Sequence, residues 1–549
     1  MKRPVALILL ALALAGALWL RDQNRVATFD WDWRGAPLVP GSEVRGLGGA
    51  VAVLEAPGAV WAADLLITTG VLGVGIGLGD APVRLVLGGP GCEAAGEAVI
   101  GPGCSTAFPA LGLGAPEELE SVQEAIGVGD LEALGPLPVP VGAAVWPEVP
   151  AGWSPLVLLN GRPAALAREG LVVFAVDPAA QAKALRQGDP TLADLDTDGM
   201  HGPKPNDLRP FPWSDDAWVR PTAASWTEVL IAALEHAGDV ELPRLWPLPT
   251  REPSALIMTS DQDFVASSWV DPLLARAEAV GGEVTVLTTA GTRQTNDAAA
   301  DGGGGERPAV SGGHGLGLHP NLVELSGDAR IAALRTQAER HGPAATARMH
   351  YLSWWGHAGP LPTLVELGVA MDLSFVGIEP RLKRPGFGFG DGRPMRWHTD
   401  DGVLPIWVQP THIEDDVLIG SLAYAAGLTP SDAAARSEAL LDRAIVHRVP
   451  LVANLHPMLV AKHEGVLFDG LLAAANRRAI PIMSAERLAA SATARLHFAQ
   501  QATVSLASGA WTVTGPDVGA PVWRWTRGGA CKDAHSIRPG GPAGCLEQP

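Results

Sequence analysis

The sequence predicts an α/β protein with a parallel β/α barrel over residues 251–495, a second α/β domain ahead of it and a small β appendage behind it. Three observations predict this. From about residue 254 to 492, apolar runs of strand length recur: Ala255–Met258, Val284–Leu287, Leu316–Leu318, Leu373–Val376, Leu404–Val408, Leu451–Leu455 and Ile480–Met483. Helical patterns such as Trp269–Val280, Asp328–His341, Pro430–His447 and Phe468–Arg478 lie between several of them, the rhythm of a parallel β/α barrel. Over residues 25–250, shorter apolar runs alternate with Gly/Pro turns and with helical patterns at Glu117–Ile126 and Ala224–His236. The composition, 47% apolar and 18% charged over 549 residues, supplies ample core and excludes global disorder.

Taken in order, Met1-Lys2-Arg3 and the uncharged run Pro4–Leu20 make residues 1–24 a signal anchor or signal peptide. Trp19, Leu20 and Arg21 favour an anchor that holds the chain to the cytoplasmic membrane through residues 4–20. The body then faces the periplasm or the exterior. Ala11-Leu12-Ala13 is the competing cleavage site. In an exported chain the four cysteines, Cys92 with Cys104 and Cys531 with Cys545, are expected to form two short-loop disulfides. The strands of the first domain are expected at Ala50–Leu54, Val83–Leu87, Leu156–Leu159 and Leu171–Val176. Its Gly73-Val74-Gly75-Ile76-Gly77 lacks the strand–turn–helix context of a dinucleotide site. Asp194-Leu195-Asp196-Thr197-Asp198-Gly199 opens like a calcium loop, with Asp194, Asp196 and Asp198 as ligands. Pro205 stands where the bidentate Glu belongs, so an Asp-rich turn is the competing reading. Residues 496–549 alternate Thr, Val and Trp as a β appendage does. The net charge of −19 repels polyphosphate and argues against a nucleic-acid partner.

In a β/α barrel, side chains at the C-terminal strand ends converge on one mouth. Here those ends are rich in titratable groups. Asp261 and Asp263, two apart on an extended segment, face the same side. His319 follows Leu316–Leu318, His350 follows Ala347-Arg348-Met349, and His456 follows Leu451–Leu455. Two carboxylates and three imidazoles on separate strand ends suit a divalent cation that activates water.

The order of these motifs resembles the polysaccharide deacetylase family, metal-dependent esterases that remove N-acetyl groups from chitin-like glycans and peptidoglycan on a distorted β/α barrel. Thr259-Ser260-Asp261-Gln262-Asp263 resembles the family's opening Thr-Phe-Asp-Asp-Gly. Gly313–His319 is similar to the stretch leading to the first metal His, Arg348-Met349-His350-Tyr351 to an Arg-x-Pro-Tyr motif, and Leu455-His456-Pro457 to the late Leu-x-His motif. The resemblance implies Asp261 as base and His456 as acid, with Arg348 holding the base or a sugar hydroxyl. It implies His319 as the first metal His; Asp263 would have to supply the metal carboxylate, and His350, where the family has no ligand, could replace the second metal His from a neighbouring strand end, around a divalent metal, zinc by its imidazole ligands. Tyr351, Trp354 and Trp355 would contact a glycan substrate. The domain at 25–250 resembles the amidotransferase-like domains that accompany some exported deacetylases, without their Cys nucleophile.

The departures are specific. Gln262 stands at the family's second Asp, and Val323 stands where its second metal His would be. A catalytically degenerate glycan-binding protein on the same barrel is therefore the second reading. A glycoside hydrolase pairing Asp261 with Glu414 or Asp416 is the third. Structural alternatives stand beside each assignment. Asp261 and Asp263 could cap a helix, and His319, His350 and His456 could be hydrogen-bonded core residues. Trp354 and Trp355 could be core, and Glu414-Asp415-Asp416 reads as a solvated helix start.

Overall fold

The computed structural model describes residues 51–525 except for 54–58, 77–80, 82, 89–97, 120–123, 198–200, 209–217, 290–307, 324, 377–384, 389–390, 421–424, 508–509 and 517–523. The chain divides into two units, Met1–Pro37 and Leu38–Pro549. The first of these, the expected anchor at 4–20 and Cys92, Cys531 and Cys545 lie outside the described residues. Among the described residues no helix is long and apolar enough to cross a membrane.

The chain is a mixed α/β protein built around two large sheets. In the first, Val74–Ile76, Val51–Val53, Val83–Gly88, Ala98–Gly103 and Leu171–Phe174 run parallel in that spatial order. Arg162–Arg168, Ser154–Leu159, Glu124–Gly127 and Pro136–Pro138 extend it antiparallel. Helices form where local signals are strong. Pro178–Gln187 starts at Asp177, whose carboxylate accepts from the Ala179 and Ala180 amides, with Pro178 in the first turn. The helix expected at Glu117–Ile126 is not formed at either end: Glu117–Glu118 and Glu124–Gly127 are strands. Pairing of Ala125, Ile126 and Gly127 with Leu159, Leu158 and Val157 overrides the local helix preference.

The second sheet carries the strand ends singled out in the sequence. Its strands are β1 (Leu256–Asp263), β2 (Thr285–Thr288), β3 (Gly315–Leu318), β4 (Thr346–Ala347), β5 (Met371–Asp372), β6 (Met395–Thr399), β7 (Gly402–Val408), β8 (Ile413–Glu414), β9 (Leu451–Asn454) and β10 (Ile482–Met483). Their spatial order is β6-β7-β5-β4-β3-β2-β1-β9-β8, with β10 also on β1. Every pairing is parallel except the β6–β7 hairpin. The sheet curls. After β7 the chain passes Thr411, which bridges Val376 beyond β5, and then enters β8 beside β9. One short stretch thus links the two ends of the parallel run. The strand expected at Leu373–Val376 sits earlier, at Met371–Asp372, and only Val376 is bridged further along.

Apolar packing joins the two sheets. A single buried cluster includes Val53, Val172, Trp226 and Leu234 from the first half and Ile257, Met371, Trp407 and Met483 from the second. The helix Ala485–Gln501 lies between them and runs through the boundary expected at 495. Its Trp407 contact is fixed by a hydrogen bond from Trp407 Nε1 to Thr493 Oγ1, 3.0 Å. Burying about 25 cal/mol per Å² of apolar surface along this seam disfavours separation of the halves. Beyond the helix, Thr503–Ala507 pairs antiparallel with Ala510–Thr514, and Arg524–Trp525 pairs with Arg244–Leu245.

Candidate metal and hydrolytic site

The polar residues sit where each apolar strand ends. In β1, Leu256, Ile257 and Met258 are fully buried, and the strand then turns polar at Thr259. A bulge interrupts the β1–β2 register between Asp261 and Asp263. Asp263 adopts φ 50°, an uncommon left-handed conformation for a non-glycine residue. The Thr289 hydroxyl donates to the Asp263 carbonyl, and Gln262 Nε2 donates to Val265 O at 3.0 Å. These bonds fix the turn that carries Asp263.

One side of the mouth is built from Asp263, His319 and His350. One ligand atom from each lies within 4.8 Å of the others. His319 Nε2 is 3.2 Å and His350 Nε2 3.4 Å from Asp263 Oδ1. His319 Nδ1 donates to the Arg348 carbonyl at 2.8 Å, and its Nε2 points inward at Asp263. Burial would lower His319, but Asp261 and Asp263 raise it above the free imidazole value, so a cation would take Nε2 in exchange for its proton. His350 Nδ1 has no hydrogen-bond partner among the described residues. Its ring is held instead by edge contacts with Phe264, His319 and Tyr351, centroids 5.3, 5.1 and 4.4 Å away. Burial, with His319 adding to it, lowers His350 to about 4, so it stays neutral and able to ligate. Burial alone would raise Asp263, but the His319 hydrogen bond and the three imidazoles hold its carboxyl well below the usual range. One carboxylate and two imidazoles on three strand ends fit a divalent cation.

The other side is hydrogen-bonded pair by pair. Arg348 is buried and donates through Nη1 to Asp261 Oδ1 at 2.8 Å, through Nη2 to Thr411 Oγ1 at 2.6 Å and through Nε to Leu373 O at 3.1 Å. Asn454 Nδ2 donates to Asp261 Oδ2 and to Glu414 Oε2, both at 2.9 Å. Burial pushes Asp261 up, yet Arg348, His319 and His456 outweigh it and keep the carboxyl below its ordinary value. Asp261 Oδ2 lies 3.8 Å from His319 Nε2. Burial raises Glu414 to about 8 against the pull of Arg348. His456 Nδ1 bonds Asp415 Oδ1 at 2.6 Å, and the His456 amide bonds Asp415 Oδ2 at 2.8 Å. Burial would lower His456, but Asp415 raises it well above the free imidazole value and stabilises the imidazolium. His456 Nε2 lies 3.9 Å from Asp263 Oδ2, so both sides face one space.

Asp261, Asp263, His319, Arg348, His350 and His456 are therefore brought together. Arg348 does not reach for a sugar hydroxyl: it is 1% exposed and its donors are taken by Asp261, Thr259, Thr411 and Leu373. It positions the carboxylate. Tyr351 is 39% exposed, with φ 51°, and its ring lies beside His350 at the rim. Trp354 is not a wall of the site. It is buried, packs on Phe375 and Trp397, and donates from Nε1 to His357 O. Trp355 is half-buried, with the Arg330 guanidinium 5.1 Å above its ring. Asp194 accepts from the Gly356 amide at 2.6 Å, and Asp198 lies outside the described residues. Among the described residues, Asp194 and Asp196 join no cluster of three ligand groups. Cys104 is buried against Phe108 and Trp146.

The acidic trio reverses an expectation. Asp415 does open a helix, Asp415–Ile419, but Glu414 and Asp415 are buried rather than solvated. Glu414, Asp416 and His456 form a second close group of possible ligands. Asn454 was also not singled out in the sequence. A polar residue ending the buried strand Leu451–Asn454 is the signal that marks it. Asp261 and Glu414 share one Asn454 donor and are both buried, so no sugar fits between them.

No family model and no curated protein matches the chain. Among solved structures it is similar to a protein from Mycobacterium smegmatis described as a polysaccharide deacetylase: identity 15%, 44% of this chain and 91% of that one covered, TM-score 0.32. It is similar also to a protein from Bordetella bronchiseptica described as a polysaccharide deacetylase involved in O-antigen biosynthesis: identity 16%, 44% and 90% covered, TM-score 0.23.

Proposed function

We propose that the chain is a metal-dependent hydrolase that removes N-acetyl (or O-acyl) groups from a cell-envelope or extracellular glycan. The observation that carries this reading is the convergence of Asp263, His319 and His350 within 4.8 Å, with Asp261 and His456 against the same space. Asp263, His319 and His350 would hold the cation, zinc by its ligand chemistry. When bound, a divalent cation polarises a carbonyl and acidifies a water. Asp261 Oδ2 takes the proton of the attacking water, and Arg348 and Asn454 hold the carboxylate in place for it. His456, kept as an imidazolium by Asp415, gives its Nε2 proton to the departing amine. His350 fills the role that Val323 leaves open, which favours an enzyme over a degenerate binder. Residues 4–20 would tether the enzyme to the outer face of the cytoplasmic membrane.

The test is acetate release from N-acetylglucosamine oligomers by the zinc-supplemented full chain. Acetate in step with new free amine is expected. A protein with intact zinc that releases none from chitin-type or peptidoglycan-type oligomers would remove the reading.

A further inference from the structure

The first half of the chain reaches the mouth through one loop. After the helix Pro178–Gln187 the chain runs to Leu208 against the segment that follows β4. Leu208 is buried in one cluster with Leu318, Met349 and Trp354. The Trp354 amide donates to Pro203 O at 2.9 Å, and the Gly356 amide to Asp194 Oδ1 at 2.6 Å. His357 Nε2 donates to Gln187 O at 3.3 Å.

The loop is also tied to itself. Asp207 is buried, and its Oδ1 accepts from the Thr197 amide at 3.2 Å and from the Thr197 hydroxyl. Its Oδ2 accepts from the Lys204 amide at 2.8 Å. These bonds grip the chain on both sides of His201.

His201 is exposed and left-handed, with φ 63°. Its ring lies on that of Tyr351, centroids 4.2 Å and planes 35° apart. Tyr351 in turn contacts His350, centroids 4.4 Å apart. An imidazole from the first half thus stands two ring contacts from a candidate metal ligand. Tyr351 and Leu352, at φ 51° and 55°, are left-handed as well. Such conformations are costly for non-glycine residues and collect where side chains are presented to ligands. Core packing does not account for this one, because an exposed ring buries little apolar surface.

The chemistry of the pair suits a sugar. A neutral imidazole has one donor and one acceptor nitrogen, and a sugar hydroxyl both donates and accepts. The Tyr351 ring, 39% exposed, adds an aromatic surface and a hydroxyl. We propose that His201, stacked on Tyr351, binds the sugar unit next to the one that is deacylated. The first half of the chain then selects a glycan of two or more units over a single sugar, a specificity that rests on the glycan-hydrolase reading above.

Calorimetric titration of the zinc-loaded full chain tests this, in an Asp261→Asn background that stops turnover. The two probes are N-acetylglucosamine and its β-1,4-linked tetramer. The tetramer should bind about tenfold or more tighter than the single sugar. His201→Gly, in which glycine suits the left-handed backbone, should weaken the tetramer about fivefold and leave the single sugar unchanged. Arg335→Gln, at an exposed pair with Glu366, should alter neither. Tetramer affinity unaltered in His201→Gly overturns the proposal, as does an equal loss for both probes or no saturable binding of the tetramer. If His201→Gly fails to fold, His201→Asn, which also tolerates that backbone, decides in its place. Binding is read without turnover, so a failed acetate assay strikes the reaction and leaves this subsite standing.

Discussion

The two sides of the mouth differ in how their polar atoms are used. Around Asp263, His319 and His350, inward ligand atoms crowd together, and the outer His319 nitrogen is committed to a carbonyl. Around Asp261, Asn454, Glu414 and His456, the carboxylates and the imidazole are tied to one another through Arg348, Asn454 and Asp415, with Glu414 Oε1 left without a hydrogen-bond partner among the described residues. The first arrangement suits holding a cation, the second holding and passing protons. Two aspartates only two residues apart thus have different neighbours, through a bulge and a left-handed Asp263, and under the proposed function they would have different work.

The comparison breaks most sharply at the aspartates. Asp261→Asn keeps the shape and the Asn454 contact region but loses the proton acceptor. Turnover should fall about 10²- to 10⁴-fold while metal content stays at the wild-type level. Asp263→Asn should instead deplete the metal, read by elemental analysis. The reverse pattern would exchange the two roles. His456→Gln should lower turnover about 10²-fold or more with metal retained.

A smaller effect sharpens the proton side. Asp415 raises His456, so Asp415→Asn lowers its pKa, and the alkaline limb of kcat/KM should move to lower pH. An unmoved limb would assign that limb to another group.

The smallest effect concerns stability. Burial raises Asp372 to about 7, despite the Ser374 amide and hydroxyl that donate to it. A carboxyl whose folded pKa lies above its unfolded value of about 3.9 costs stability as pH rises from 4 through 7. Asp372→Asn removes that cost. Its Tm relative to wild type should therefore rise across that interval, by a few degrees at most. A difference independent of pH would show that Asp372 does not titrate there.

Much of the site was legible because strand alternation and strand ends are local features. Asp261 and Asp263 face one space as expected, though through a bulge and a left-handed Asp263 rather than by plain alternation, and His319 and His456 each follow an apolar run. What could not be read depends on how the sheet closes. Glu414 and Asp415 look like a solvated helix start until β8 lies against β9 and buries them. Trp354-Trp355 looks like a sugar platform until Phe375 and Trp397 cover Trp354. Arg348 looks available until Thr411, brought in by the Val376 bridge, accepts from its guanidinium. The helix expected at Glu117–Ile126 yields to sheet pairing for the same reason: distant partners decide.

Metal content after chelation and zinc readdition tests the central claim most directly. The account predicts one tightly held equivalent in the wild-type chain and less than a tenth of one in His319→Ala at the same free zinc. Equal content in the two proteins, or none in the wild type, would contradict it.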